Sequence, residues 1–131
     1  MCTGYIVKDE TALKKNNLVD VMPYMGREYE VSLDFYISKF GTPADFYQSI
    51  IHFTMSNDAD MYGARCPAVW VGPQKKLHVA SALNGIANLY HDLDYTLKIG
   101  KWINLEISQK LIMDKVSKNN FNNKNFIKFT P

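Results

Sequence analysis

Alternation with a period of two runs through residues 29–38, YEVSLDFYIS. Tyr29, Val31, Leu33, Phe35 and Ile37 fall on one side, and Glu30, Ser32, Asp34 and Ser38 fall on the other, with Tyr36 the one aromatic among them. That period predicts a strand with one face buried and one wet. Lys101–Gln109 repeats the pattern, with Ile103, Leu105 and Ile107 opposite Asn104, Glu106 and Ser108. Residues 47–55 (YQSIIHFTM) place Ile51, Phe53 and Met55 on one face, and residues 77–83 (LHVASAL) alternate again. Ala68–Val71 is short and wholly apolar, residues 95–99 form a weaker strand candidate, and another short strand is expected around residues 18–22. No window carries the 3.6-residue apolar stripe of a long amphipathic helix.

Turn residues punctuate these runs at Gly41-Thr-Pro43, Gly63 to Pro67, Gly72-Pro73, Asn84-Gly85 and Gly100. Gly72 to Lys76 is expected to turn residues 68–83 into a hairpin. Asn84-Gly85 suits a type I′ turn, whose two central positions both need positive φ. Short strands separated in this way predict an all-β, antiparallel two-sheet sandwich. From Asp114 the chain becomes rich in asparagine and lysine, and asparagine favours neither strand nor helix. The expected organisation is one domain over residues 1–113, with residues 114–131 an atypical, poorly ordered tail.

Composition narrows the classes without choosing among them. With 131 residues, 47% of them apolar, the chain has the size and content of one globular domain. A formal charge of +2 argues against a nucleic-acid footprint, which is strongly basic and clustered. No run approaches the about 18 apolar residues of a membrane span, and the N-terminal MCTGYIVKDE has no apolar signal core. Cys2 and Cys66 leave the compartment open: one disulfide or two free thiols are both compatible with the sequence. There is no Asn-x-Ser/Thr acceptor for N-glycosylation.

The strands YEVSLDFYIS (29–38), IIHFTM (50–55), YGARCPAVWV (62–71), KKLHVASALNG (75–85) and GKWINLEISQ (100–109) carry a resemblance to a known group. Their order and spacing resemble the concanavalin A-like lectin/glucanase superfamily, especially its laminin-G-like and pentraxin-like modules, over about residues 18–111. The resemblance implies an antiparallel two-sheet jelly roll that is extracellular or at the cell surface and binds glycans or proteins. Members continue well past the W-x-x-L-x-I strand, so the asparagine-rich tail departs from the pattern, and the expectation is a domain cut short at its C-terminus.

The stretch NDADMYGARCPAVWVG (57–72) offers three readings. As an EF-hand loop starting at Asp58 it places Gly63 correctly, but its last ligand position falls on Val69 instead of a bidentate glutamate. A looser calcium site on Asp58 and Asp60 has two carboxylates, where calcium takes about six to eight oxygens. Cys66 as a nucleophile lacks a base tied to it by any local motif, since His52, His78 and His91 are scattered. The simplest reading is architectural: Gly63 permits an unusual angle, Pro67 leads into the buried run, and Arg65 pins the loop to Asp58 or Asp60.

A retaining glucanase needs two carboxylates across the scissile bond, and in this superfamily they lie on one strand as Glu-x-Asp-x-x-Glu. Glu28, Glu30 and Asp34 share a face but lack that spacing, so no enzyme is expected. Sugar recognition needs an aromatic plate and polar partners. Asp58, Asp60, Tyr62, Tyr90, His91 and Asp92 are the expected ligand residues, all assigned to loops. Trp70 is expected in the core and Trp102 at the rim or outer face. The function expected is non-catalytic binding of carbohydrate or an extracellular partner. The alternatives are a protein-docking adhesion module without sugar binding, or a degenerate glycoside hydrolase.

Overall fold

The computed structural model describes residues 18–21, 26, 28–42, 46–55, 61–113 and 121–130, except for the side chains of 111–113 and 121–130. Seven strands run in chain order: β1 (Tyr29–Tyr36), β2 (Gln48–His52), β3 (Ala68–Val71), β4 (Lys76–Leu83), β5 (Ile86–Thr96), β6 (Trp102–Met113) and β7 (Phe121–Thr130). They form two antiparallel sheets, one ordered β1-β6-β7 and the other a meander β2-β3-β4-β5. The expected all-β, two-sheet architecture is present. Among the described residues no helix is long and apolar enough to cross a membrane.

Alternation in β1 and β6 decides which face of the first sheet turns inward. Leu33 pairs with Leu105 and Phe35 with Ile103, and these side chains pack on Val69, Val71, Leu77 and Val79 of the second sheet. Ile37, Ile50 and Leu97 complete this single core between the sheets. The alternate polar positions of the same strands, Glu30, Ser32, Asp34, Asn104, Glu106 and Ser108, lie on the outer face. Asp34 accepts a hydrogen bond from Asn104 Nδ2 at 2.9 Å on that wet face, which is where the sequence put the Glu30/Asp34 set.

Three sequence expectations are corrected. In β2 the core residue is Ile50, and Met55 is 86% exposed. The pairing of β2 with β3 skips a residue between Ser49 and Ile51. A bulge breaks the period of two, so Ile50 joins the expected Ile51 on the core side, and Met55 lies beyond the end of β2. Residues 88–94, assigned to a loop, belong to β5, which pairs along β4 from Ile86 to Thr96. Its polarity reflects its place at the sheet edge, where charged side chains are tolerated. Residues 18–21, in the segment expected to hold a short strand, have no regular structure.

The asparagine-rich segment set apart as a tail supplies β7, paired with β6 from Asn104–Thr130 to Met113–Phe121. Strand pairing therefore continues beyond residue 113, and β6 becomes the central strand of its sheet, paired with β1 over residues 102–109 and with β7 over residues 104–113. Backbone hydrogen bonds are available to any non-proline residue, which is why low strand propensity did not decide the outcome.

The hairpin turns match expectation. Asn84 and Gly85 have φ of 50° and 83°, joining β4 to β5. A Cβ on Gly85 would meet only the Tyr62 hydroxyl, at 3.9 Å. Gly85→Ala is therefore expected to cost about 1–2 kcal/mol through backbone conformation alone. Urea unfolding reads this as a lower midpoint with an unchanged slope.

One polar cluster lies between the sheets. Tyr29 from β1, Ser81 from β4 and Gln109 from β6 form a triangle: Tyr29 Oη–Ser81 Oγ is 2.7 Å, and each hydroxyl lies 3.1 Å from Gln109 Oε1. Two hydroxyl protons serve three edges, so two are filled at any moment. Burial pushes the Tyr29 phenol up to about 12 against the lowering effect of its bond to Ser81, and Cys66 adds a smaller upward push.

Candidate functional site

The outer face of the four-stranded sheet gathers most of the unusual side chains. Because Leu77 and Val79 point into the core, His78 between them must point outward. Its register partners are Trp70 on β3 and Asp92 on β5. His78 Nδ1 lies 2.7 Å from Asp92 Oδ1. An ionised carboxylate only accepts hydrogen bonds, so Nδ1 carries the proton and donates it.

Three aromatic rings surround this pair, and a fourth extends the row. Tyr90 stacks on His78 with ring centroids 4.9 Å apart and planes at 28°. Tyr47 meets the imidazole edge-on at 4.8 Å, and Trp70 lies at 5.6 Å with His52 beyond it, again at 5.6 Å. The row crosses all four strands or their immediate flanks. Its inner members are covered and its outer members are not. Trp70 is only 7% exposed, packed with Ala68 and Ala80, and the Arg65 guanidinium lies 5.1 Å over its ring. Tyr47 and Tyr90 are exposed on either side of the buried His78.

An open recess beside this row is lined by Tyr47, Pro73, Gln74, Lys76 and Asp92. Its rim is held tightly. Gln74 and Lys75 both adopt left-handed backbone angles, φ of 60° and 58°. The turn is fixed by Lys75 N donating to Gly72 O at 3.2 Å and Gly72 N donating to Lys76 O at 2.8 Å. Leu97 N donates to Lys75 O at 2.8 Å, tying the turn to the end of β5. Gly72 is needed there, since a Cβ would come within 2.9 Å of the Tyr47 ring. Lys76 Nζ donates to Asp94 Oδ1 at 2.9 Å, and that bond, with the lysine charge, holds the Asp94 carboxyl below its ordinary range.

The expected ligand residues scatter. Asp58 and Asp60, which carried the calcium expectation, lie outside the described residues. Tyr90 and Asp92 come together around His78, as residues of a strand and not of a loop. His91, between them, falls on the opposite face of β5. Tyr62 is exposed beside the Asn84-Gly85 turn, roughly 15 Å from Tyr90 by the rise of a strand. Among the described residues no three His, Cys, Asp or Glu side chains are grouped to hold a metal. The members of the site that were missed include His78, Tyr47, Gln74 and Lys76. The available signal was Tyr90-x-Asp92, which shares a face once residues 86–96 are read as a strand.

Cys66 is not among the residues of the aromatic row or the recess. Among the described residues it is a free thiol, half-buried, and burial pushes it up, away from the thiolate. Backbone hydrogen bonds fix the described loop around it. Gly63 has φ of 85°, Cys66 N donates to Phe53 O at 2.9 Å, and Phe53 N donates to Pro67 O at 3.0 Å, leading the chain into β3. Arg65 stacks on Trp70; the aspartates it was expected to pair with lie outside the described residues. No protein-family model, no curated protein and no solved structure matches this chain.

Proposed function

We propose that this chain is a non-catalytic recognition module that binds carbohydrate on the outer face of its four-stranded sheet, within a concanavalin A-like jelly roll. The observation that carries this reading is the pair of exposed tyrosines, Tyr47 and Tyr90, flanking the His78–Asp92 pair above a polar recess. A pyranose presents apolar C–H faces and a rim of hydroxyls, so a binding site for it combines ring plates with a few fixed polar groups. Asp92 retains acceptor capacity beyond its bond to His78, its side chain being half exposed. The Gln74 amide and Lys76 ammonium supply donors from the same recess. Two consecutive left-handed residues at the rim favour a functional reading, because such backbone strain collects at ligand sites.

The jelly-roll assignment draws support from the pairing of β1 with β6, which brackets the whole β2–β5 meander. A non-catalytic role is favoured because, among the described residues, no hydroxyl or thiol is hydrogen-bonded to His78 as a nucleophile would be. The partner is a glycan of the extracellular space or cell surface.

Glycan-array binding, repeated by calorimetry on the best hit, tests the reading. Tyr90→Ala and Tyr47→Ala are each expected to weaken binding at least about tenfold, which is about 1.4 kcal/mol, with little change in melting temperature. Running the array with calcium and with chelator tests Asp58 and Asp60 as metal ligands. Silence from folded protein under both conditions would sink the proposal.

A further inference from the structure

The opposite sheet carries a second exposed cluster, at the end of the sandwich where β1 and β6 meet. Tyr36 and Trp102 are register partners on the wet face of β1 and β6, with ring centroids 5.5 Å apart and planes at 48°. Beside them the turn between β5 and β6 reads Lys98-Ile99-Gly100-Lys101. It is anchored by Gly100 N donating to Ile37 O at 2.9 Å, two residues before Lys39. The Tyr36 hydroxyl lies 3.8 Å from where a Gly100 Cβ would stand, so the aromatic pair and the turn form one surface.

This surface is apolar where a solvated turn has no need to be. Ile99 is 54% exposed and Trp102 is 56% exposed. Neither supports the core, which Leu97 and Ile103 on either side already fill. Lys39, Lys98 and Lys101 are exposed around them, and none is paired with a carboxylate among the described residues. Asp34, the carboxylate one same-face position along β1, is hydrogen-bonded by Asn104.

We infer that this end of the sandwich docks onto an anionic lipid surface. Each component matches a layer of such a surface. Lysines are drawn to acidic headgroups, tyrosine and tryptophan rings settle at the headgroup boundary, and a single aliphatic side chain at a rigid turn enters the edge of the acyl region. A sugar subsite fits less well, because the turn sets an aliphatic side chain and two ammonium groups beside the plate, while the nearby Asp34 carboxylate and Asn104 amide are hydrogen-bonded to each other. The binding is peripheral and reversible. Each lysine strengthens it by about fivefold at low salt and less as salt screens it.

The test is co-sedimentation of the full chain with phosphatidylcholine vesicles, with and without phosphatidylserine, at low and high salt. The expected result is sedimentation only with phosphatidylserine, weakened more than tenfold in the double variant Lys98→Glu/Lys101→Glu and several-fold in Ile99→Ser. Brominated lipid should quench tryptophan emission in the parent chain and not in Trp102→Phe, since Trp70 is buried. All four positions are exposed, so melting temperatures should stay close to that of the parent. Failure of the parent to sediment with acidic vesicles would overturn the inference, even if the lysines capture an acidic protein. So would vesicle binding that ignores Ile99→Ser and shows no quenching, because that is charge attraction without docking. Neither result bears on sugar binding at Tyr90, which lies on the other sheet.

Discussion

Leu105→Ala should lower the unfolding free energy by about 2–5 kcal/mol, the range for emptying a fully buried leucine site. Leu105 is 0% exposed in the central strand of its sheet, between Leu33 on β1 and Phe129 on β7 in the pairing register. Its side chain joins the core shared by both sheets, and that packing limits how far the site can collapse. A domain of this size is stable by about 5–15 kcal/mol, so the loss is a large fraction of the total. Urea unfolding followed by circular dichroism measures it directly. Met55→Ala provides the contrast: at 86% exposed it should change stability by less than about 0.5 kcal/mol. Comparable effects at the two positions would show that the core is not where this fold puts it.

Alkaline pH should destabilise the protein through Tyr29, and Tyr29→Phe should remove that dependence. Burial disfavours the phenolate most and raises the phenol from 10.0 in the unfolded chain to about 12 in the fold. Below pH 10 the phenol is protonated in both states, and its contribution is fully present. Between pH 10 and about 12 the unfolded chain releases the proton while the folded chain keeps it. Unfolding then becomes easier by about 3 kcal/mol across the interval. Other groups titrate in the same range, so the measured quantity is the difference in slope between the parent and Tyr29→Phe. The variant also loses one donor to Gln109 and Ser81, which lowers its stability at neutral pH by about 1 kcal/mol. Parallel slopes would show that Tyr29 ionises as freely in the fold as outside it.

Much of the architecture was legible because a strand buried on one face writes its orientation directly into the chain. Tyr29 to Phe35 and Ile103 to Ile107 alternate without interruption, and their inward and outward sides agree with the structure. Asn84-Gly85 was equally readable, since few dipeptides accept two consecutive positive φ angles. The reading failed where the period of two was broken or masked. At Ser49–Ile51 a bulge puts two consecutive isoleucines, Ile50 and Ile51, on the core side, which strict alternation does not allow. In β5 a polar edge strand looked like a loop, because neither of its faces is fully buried. In residues 121–130 poor strand formers pair with β6 through backbone groups that composition does not report.

The candidate site was less legible than the fold, for a related reason. Tyr90 and Asp92 were recognised as suitable chemistry, but their value depends on His78 from β4, Tyr47 ahead of β2 and Gln74 from the β3–β4 turn. No spacing along the chain relates these positions. By itself the sequence determined the strand faces, the tight turns and the all-β class, because those follow from local periodicity and local backbone angles. Only the tertiary structure decided which polar residues meet, because register between strands, bulges and the stacking of two sheets are properties of contacts between distant segments.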